Sequence, residues 1–192
     1  MDIYQSSGIY LSVMASLTSI LPKIAPTLGM TPGALYERQR NLVRMRLLPT
    51  PKGRGRGSGA EATPENVALL LIAVLASDNQ SDVEGVQRLA FASYIDKRRN
   101  RCSLTGKQNF RDAMAHLLSH DDAASHAYIE VSRLEPCAVI FFPTAFVRGI
   151  RDLEKISHFG HSAEWSHSQF RVTSHLPNPA LQDMRRALTT EI

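Results

Sequence analysis

Residues 31–79 read TPGALYERQRNLVRMRLLPTPKGRGRGSGAEATPENVALLLIAVLASDN, and the start and stop signals in this stretch determine the predicted fold of the N-terminal half. Thr31-Pro32 and Thr63-Pro64 each place a capping hydroxyl before a proline that suits the first turn of a helix. The first pair predicts a helix that runs to about Met45. Four glycines at alternate positions within 53–59 exclude a helix there and predict a loop or hairpin.

The same stretch carries the positive charge of the chain. From Thr31 to Gly59, seven basic residues less one acidic residue, Glu37, leave +6, whereas the whole chain carries +4. The remaining residues therefore sum to −2, which is +4 less +6. Because positive charge concentrated on an ordered element is typical of a phosphate-binding surface, this block is the candidate functional site.

Composition indicates a folded domain of ordinary type. The chain has 192 residues, of which 43% are hydrophobic and 21% charged, so it can bury one large core or two small ones. The longest apolar run, Val67–Ala76, is about half the length of a bilayer span. Asp2 ahead of the first basic residue, Lys23, does not fit a signal peptide. Together with two isolated cysteines, Cys102 and Cys137, these features predict a cytoplasmic, nucleoid-associated protein with free thiols and no membrane partner.

A short helix is predicted ahead of the basic block, with Pro22 in its first turn and Gly29 as its stop. In the helix after Thr31, apolar residues recur at helical spacing and predict a side that packs on the rest of the protein. That buried side is predicted to consist of Leu35, Leu42 and Val43. The helix after Thr63 has a broad apolar surface, which the domain or a partner chain must cover.

Two capping boxes predict the next two helices, because Ser or Thr followed three residues later by Glu or Gln satisfies two end donors reciprocally. Ser81 with Glu84 opens a helix that is predicted to reach about Asp96. Thr105 with Gln108 opens a helix with an apolar stripe. The stripe consists of Phe110, Ala113, Met114, Leu117 and Leu118.

Apolar and polar residues alternate over 128–134, and an uninterrupted apolar run follows at 137–142; both patterns are typical of strands. One strand is predicted over Tyr128–Leu134, with Ile129 and Val131 on its buried side, and a second over Cys137–Phe142 after a turn at Glu135-Pro136. The remaining predicted elements are a helix near 146–158, a strand near 165–173 and a final helix that opens at Asn178-Pro179. The buried side of that last helix is predicted to consist of Leu181, Met184 and Leu188.

The order of helix, tight turn, helix, basic glycine-rich hairpin and helix is that of a winged helix-turn-helix. Over residues 20–78 the chain resembles the DNA-binding head of MerR-type regulators. The matching pieces are Gly29-Met30-Thr31-Pro32, Leu47-Leu48-Pro49, Lys52 to Gly59 and Thr63-Pro64-Glu65-Asn66-Val67. The resemblance implies a recognition helix, a wing and duplex-DNA binding. No long coiled-coil helix follows the head, so the family's dimerisation device and effector chemistry are not carried over.

The predicted fold class is α+β. A winged helix-turn-helix DNA-binding domain is expected over 1–80. A helical segment and a small α/β domain with about three strands are expected over 81–192, as an oligomerisation or sensing domain. This C-terminal half resembles no family that the motifs identify.

The candidate DNA-contacting residues lie on the predicted recognition helix and in the wing. The N-terminal residues of a helix in the major groove meet base edges, and arginine can bind guanine through two hydrogen bonds. Wing arginines between glycines can enter a narrowed minor groove or contact the backbone. The predicted contacts are Thr31, Gly33, Tyr36, Arg38, Arg40 and Arg44 on the helix, and Lys52, Arg54, Arg56 and Ser58 in the wing. The predicted function is a sequence-specific transcriptional regulator that binds double-stranded DNA as a homodimer.

Other interpretations stay open. A winged-helix scaffold can serve as a protein-binding adaptor or inhibitor, and the RGRG segment can bind RNA or be an inert linker. Tyr36 suits a core position as well as a phosphate contact, and Arg46 can complement the end of its helix dipole. The basic segment 97–101, KRRNR, is either solvated or a flanking phosphate contact.

Catalytic and metal-binding sets are not predicted. His158, His161 and His167 have spacings that suit no common zinc site, and both cysteines are distant in sequence. His116 and His120 lie at a predicted helix end, where a positive charge is electrostatically favourable. No motif arranges an acid, a base and a nucleophile, so the expectation is a protein that is not an enzyme and has no cofactor.

Overall fold

The computed structural model describes residues 15–50, 60–79, 82–96, 99–120, 126–133, 137–143, 146–147, 150–151, 154–160 and 172–189. The helices in these ranges are α1 (Leu17–Ile24), α2 (Pro32–Arg44), α3 (Pro64–Ala76), α4 (Val83–Ala90), α5 (Phe110–Ser119) and α6 (Asn178–Thr189). The strands are β1 (Tyr128–Ser132), β2 (Cys137–Pro143), β3 (Phe146–Val147), β4 (Ile150–Arg151), β5 (Glu154–Phe159) and β6 (Thr173–Leu176). Helices and antiparallel strands together make the α+β fold that the sequence predicts.

Both threonine-proline starts are confirmed. The Thr31 hydroxyl accepts a hydrogen bond from the backbone N–H of Ala34 at 3.2 Å, and α2 begins at the proline that follows. The Thr63 hydroxyl accepts from Asn66 in the same way at 3.3 Å, at the start of α3. These starts depend on local chemistry alone, since the cap and the proline act within one turn.

The first helix begins earlier than the sequence indicates. Ser16 caps α1, and its hydroxyl accepts from the backbone N–H of Ser19 at 3.2 Å. Pro22 therefore lies inside the helix and not in its first turn. The helix ends at Ile24, five residues before the stop predicted at Gly29, and Gly29 has a φ of +63° in the turn before α2. Such a conformation favours glycine.

The predicted cap of the next helix is wrong, and Ser81, the first residue of the predicted capping box, lies outside the described residues. Asp82 caps α4 instead, its carboxylate accepting from a backbone N–H three residues along at 3.0 Å. A carboxylate can accept from a free N–H of the first turn as a serine hydroxyl does, and it also complements the positive end of the helix dipole. The helix ends at Ala90 and does not reach Asp96, because the chain then turns to pair with the sheet.

The box at Thr105 and Gln108 is also wrong, although the helix that it predicted exists. Asn109 caps α5 and accepts from the backbone N–H of Asp112 at 2.9 Å. Thr105 lies in the turn before the helix, where its hydroxyl accepts from the backbone N–H of Lys107. The predicted apolar stripe is confirmed, since all five of its members are buried: Phe110, Ala113, Met114, Leu117 and Leu118.

Four strands form one antiparallel sheet in the order β5-β2-β1-β6. In β1, Ile129 and Val131 are buried while their neighbours are half-buried, as the alternation predicts. The β1–β2 pairing places Val131 opposite Ala138. The predicted turn at Glu135-Pro136 lies outside the described residues, as does most of the strand predicted near 165–173.

The helix predicted near 146–158 is wrong. Three strands occupy this range, and the longest, β5, pairs with β2 from Glu154 to Phe159. Ser157 and Phe159 are fully buried, whereas Ile156 is 44% exposed, so burial alternates with the period of a strand. The pairing partner comes from a distant part of the sequence, and a local pattern does not contain that information.

The core is one cluster of buried side chains, and α3 lies at its centre. Nine of the thirteen α3 residues are buried, because the helix packs on α2, α4 and α5 and also contacts β1 and β6. The domain itself therefore covers the broad apolar surface of this helix. The boundary expected near residue 80 falls between α3 and α4, and residues on both sides of it belong to the same cluster.

The C-terminal helix closes this core. It begins at Asn178, as predicted, and contacts α1 and α5. Its buried residues include the three that the sequence indicates, Leu181, Met184 and Leu188. Among the helices that the structure describes, none is both long enough and apolar enough to cross a membrane.

Candidate nucleic-acid interface

The inner side of α2 anchors the helix to its neighbours. Leu35 and Leu42 are buried and Val43 is half-buried, so the predicted buried side is largely confirmed. Gln39 is also buried and exchanges side-chain hydrogen bonds with Thr18 of α1 at 3.0 and 3.3 Å. Hydrophobic packing and a specific polar pair thus fix which side of α2 faces outward.

Arg38 belongs to this inner side, and its assignment as a DNA contact is wrong. Its side chain is only 6% exposed. The guanidinium donates to the carbonyls of Ala73 at 2.8 Å, Ser77 at 2.9 Å and Asp78 at 3.1 Å, at the C-terminal end of α3. Burial lowers the pKa of Arg38, and the Asp78 carboxylate opposes that shift.

The sequence contained a signal for this inward position. Arg38 follows Leu35 by three residues and precedes Leu42 by four, so all three lie on one stripe of a helix. The last carbonyls of a helix have no partner within the helix, and a guanidinium can satisfy several of them at once. Arg38 is therefore the cap of α3, supplied by α2.

Arg133 reinforces the same corner from the sheet, and sequence reasoning did not identify it. Its Nε donates to the Ser174 hydroxyl at 2.6 Å and to the Leu75 carbonyl at 3.2 Å. Its guanidinium also pairs with the Asp78 carboxylate. Two arginines therefore tie α2, the end of α3 and the β1–β6 pair together.

The outer side of α2 carries five of the predicted DNA-contacting residues, and we call them the α2 edge. Its members are Thr31, Gly33, Tyr36, Arg40 and Arg44, all of them exposed. Tyr36 is 43% exposed, which does not fit the alternative of a core position. The last three members are four residues apart and therefore lie along one side of the helix.

The polar groups of the α2 edge have weak or local partners. Arg40 pairs with Glu37 at 2.9 Å, and both side chains are about half exposed. Arg44 donates to the Asn41 side chain at 3.3 Å. Contacts of this kind at the surface contribute little to stability and are easily exchanged for a ligand.

Gly33 leaves open space at the start of the helix. A Cβ atom added there would meet only the Thr31 hydroxyl, at 4.0 Å. Internal packing therefore does not require glycine at this position. A missing side chain at an exposed helix start permits close approach of another molecule to the backbone.

Arg46 follows α2 in a conformation that is unusual for its residue type, with a φ of +59°. Its backbone N–H donates to the Val43 carbonyl at 3.0 Å, and that of Leu47 donates to the Leu42 carbonyl at 2.9 Å. This is the Schellman pattern, in which glycine is the usual residue at the position that Arg46 occupies. The side chain is exposed beyond the end of the α2 edge.

The four predicted wing residues, Lys52, Arg54, Arg56 and Ser58, lie outside the described residues. The chain on either side of this segment is fixed. Leu48 and Ala60 are buried, and the backbone N–H of Leu17 donates to the Ala60 carbonyl at 2.6 Å. The described residues on either side of the wing therefore lie at the end of α2 and beside the start of α1.

The described histidines and cysteines form no recognisable reactive set. Burial lowers the pKa of His158, and burial together with His120 and Lys107 lowers the pKa of His116. Cys102 and Cys137 are thiols and are not joined in a disulfide, and the buried Cys102 thiol donates to the Ser157 hydroxyl at 3.2 Å. Within the described ranges, no group of three potential ligands could hold a metal ion. His161 and His167 lie outside those ranges.

Comparisons of the chain with protein-family models, with curated proteins and with solved structures found no match.

Proposed function

We propose that the protein is a sequence-specific, double-stranded-DNA-binding transcriptional regulator that inserts the α2 edge into the major groove. The observation that carries this proposal is the division of α2 into a firmly packed inner side and an exposed outer side. That outer side bears Tyr36, Arg40 and Arg44. It continues the basic block that concentrates +6 of charge in residues 31–59.

The dimensions of α2 suit a groove. A helix of thirteen residues is about 20 Å long, and its diameter with side chains is about 10–12 Å. The major groove of B-form DNA is about 12 Å wide and admits one helix. With its N-terminal end in the groove, α2 would present the exposed Thr31 and Gly33 to base edges or to a phosphate.

Each member of the α2 edge has chemistry that suits part of this contact. Arg40 can donate two hydrogen bonds to guanine after exchange from its exposed pair with Glu37. Tyr36 and Arg44 can hold phosphates on either side. Arg46 adds a further positive charge where the helix ends. The buried Arg38 and Gln39 act indirectly. Their hydrogen bonds to the end of α3 and to α1 hold α2 in one orientation.

The wing and the oligomeric state complete the proposal. Lys52, Arg54 and Arg56 would contact the minor groove or the backbone beside the helix. A single head of this size buries too little area for high affinity and specificity, so binding as a homodimer to a two-part site is expected. Association with the nucleoid follows from the same proposal.

Selection of bound fragments from sheared genomic DNA, followed by sequencing, tests the proposal. We expect enrichment of a short motif, repeated as two half-sites if the protein is a dimer, and affinity that falls steeply with salt. Binding without sequence preference at physiological salt would reject a regulator. An RNA competitor that displaces duplex DNA would instead favour RNA binding through the RGRG segment.

A matched substitution separates groove contact from folding. Gly33→Ala meets no internal atom closer than 4.0 Å, and alanine is the better helix former. We therefore expect unchanged or increased stability together with weaker binding to the selected fragment. Equal affinity of Gly33→Ala and wild type would remove the start of α2 from the proposed interface.

A further inference from the structure

A second basic surface lies away from α2, where the chain between α4 and α5 passes the edge strand β5. An open hollow of about 780 Å³ occurs there. Its volume is within the usual range for small-molecule sites. The hollow is lined by Tyr94, Asp96, Arg99, Asn100, Arg101, Cys102 and Ser103.

The sheet fixes the backbone at one wall of this hollow. The N–H of Ile95 donates to the His158 carbonyl at 2.9 Å, and that of Gly160 donates to the Ser93 carbonyl at 2.9 Å. Residues 93–95 thus extend the sheet beyond β5. The strands β5 and β6 are opposite edges of the sheet, and α3 packs near β6.

The other wall is a tight turn. The N–H of Cys102 donates to the Lys107 carbonyl at 2.8 Å, and that of Gly106 donates to the Cys102 carbonyl at 2.8 Å. The Cys102 side chain is buried against Ser157. Arg101 therefore directly precedes an anchored residue, Cys102, and the side chains of Arg99 and Arg101 are both exposed.

The charges in the hollow leave two guanidinium groups available. Among the described residues, neither Arg99 nor Arg101 has an ion-pair or hydrogen-bond partner. Asp96 also lines the hollow and contributes one negative charge beside the two arginines. Burial and the Asp96 charge raise the pKa of Tyr94, so this hydroxyl keeps its proton at neutral pH.

We infer that this hollow is a binding site for the phosphate group of a phosphorylated ligand, with Arg99 and Arg101 as its principal contacts. Guanidinium groups bind phosphate oxygens through pairs of parallel, charge-assisted hydrogen bonds. Ser103 and Asn100 supply neutral donors at the same rim, and the half-buried Tyr94 ring supplies a flat wall. The phosphate can belong to a free nucleotide or to a nucleic-acid backbone, and the experiment distinguishes these two sources.

Calorimetric titration of the full chain tests the inference with inorganic phosphate, a nucleoside monophosphate, the unphosphorylated nucleoside and duplex DNA. The test variant is Arg99→Ala with Arg101→Ala. The control is Arg88→Ala with Arg186→Ala, which removes the same charge from two other exposed arginines. Circular dichroism establishes that each variant is folded.

We expect saturable binding of phosphate or of the monophosphate to wild type and no binding of the nucleoside. The test variant should lose about tenfold or more in affinity, whereas the control should stay within about twofold. Arg99→Lys with Arg101→Lys should give an intermediate loss, because lysine keeps the charge but lacks the paired donors. This variant also serves if the alanine variant does not fold.

If only duplex DNA loses affinity in the test variant, the phosphate belongs to a nucleic-acid backbone, and the site is a second DNA contact. Equal losses in the test and control variants would overturn the inference, since they indicate net charge alone. Absence of any saturable phosphate, nucleotide or DNA binding that depends on Arg99 and Arg101 would also overturn it. The result is independent of the α2 edge, whose substitutions test the proposed function separately.

Discussion

Two arginines that are two positions apart on α2 have different roles. Arg38 is buried and caps α3, whereas Arg40 is exposed and pairs only with its helical neighbour Glu37. Counting charge in the sequence treats them alike. Their positions relative to Leu35 and Leu42 separate them, because only Arg38 shares the apolar stripe.

From the structural role of Arg38 we predict that its replacement destabilises the protein. Arg38→Ala leaves three carbonyls at the end of α3 without their donor and opens space in the core. We expect the free energy of unfolding to fall by about 2–4 kcal/mol, measured by urea denaturation. Arg40→Ala should change it by no more than about 0.5 kcal/mol.

Arg38→Met distinguishes hydrogen bonding from packing at this position. Methionine keeps much of the side-chain volume but cannot donate to the carbonyls. A loss close to that of Arg38→Ala is expected. Wild-type stability of Arg38→Met would show that the three hydrogen bonds do not hold α3 and would contradict the role assigned to Arg38.

Replacement of Arg46 is expected to change the free energy of unfolding in the opposite direction. Its φ of +59° favours glycine, so Arg46→Gly should raise the free energy of unfolding by about 0.5–1 kcal/mol. If the arginine is retained for its charge, the same variant should bind DNA several-fold more weakly, as measured by fluorescence anisotropy. Arg46→Lys is the control, since it keeps both the charge and the backbone strain.

Greater stability with unchanged DNA affinity in Arg46→Gly would remove this residue from the proposed interface. A lower free energy of unfolding in Arg46→Gly would show that the backbone at Arg46 is not strained. In that case the Schellman pattern after α2 would depend on the arginine side chain and not on the backbone.

Among the helices and strands, those set by local chemistry were predictable. The caps at Thr31 and Thr63 act within one turn, and the alternation in β1 identifies its buried side. The cap of α5 at Asn109 was missed because Thr105 offered the same spacing four residues earlier. The Thr105 hydroxyl is hydrogen-bonded within the turn before the helix, so Asn109 and not Thr105 caps α5.

The elements that the sequence did not indicate depend on distant partners. The strand β5 exists because β2 offers it an edge for six consecutive pairs. The early end of α4 has a related cause, since the chain after Phe91 pairs with the outer edge of β5 through Tyr94 and Ile95. No spacing within 146–158 or 84–96 encodes those pairings.

The candidate site was predictable in part for the same reasons. The α2 edge follows from helical spacing once the start at Thr31 is known. The inward position of Arg38 could have been inferred from the stripe, but its three carbonyl partners could not. The hollow beside β5 brings residue 94 next to residues 99–103 through pairing with the sheet, which the sequence does not reveal.

The helices and strands that the structure describes share one core, and this has a consequence for dissection of the chain. The nine buried residues of α3 are covered partly by α4 and α5, and α1 contacts α6. A fragment of residues 1–80 would expose these surfaces to water, at about 25 cal/mol for each Å² of apolar area. We expect this fragment to show no cooperative thermal transition, whereas the full chain should show one. A fragment that unfolds cooperatively and binds DNA would contradict the shared core.

If the proposed function is right, the full chain binds DNA through α2. Arg40→Ala with Arg44→Ala removes two charges from the α2 edge, and Arg88→Ala with Arg186→Ala removes two from exposed helices elsewhere. All four arginines have helical neighbours as partners, so neither variant should disturb the fold.

The decisive measurement is the affinity of these two variants for the selected genomic fragment as a function of salt. The α2 variant should lose about tenfold or more in affinity, and each lost phosphate contact should reduce the salt slope by about 0.9. The control variant should stay within about twofold of wild type. Equal affinities of the two variants across the salt series would contradict the placement of α2 in the groove.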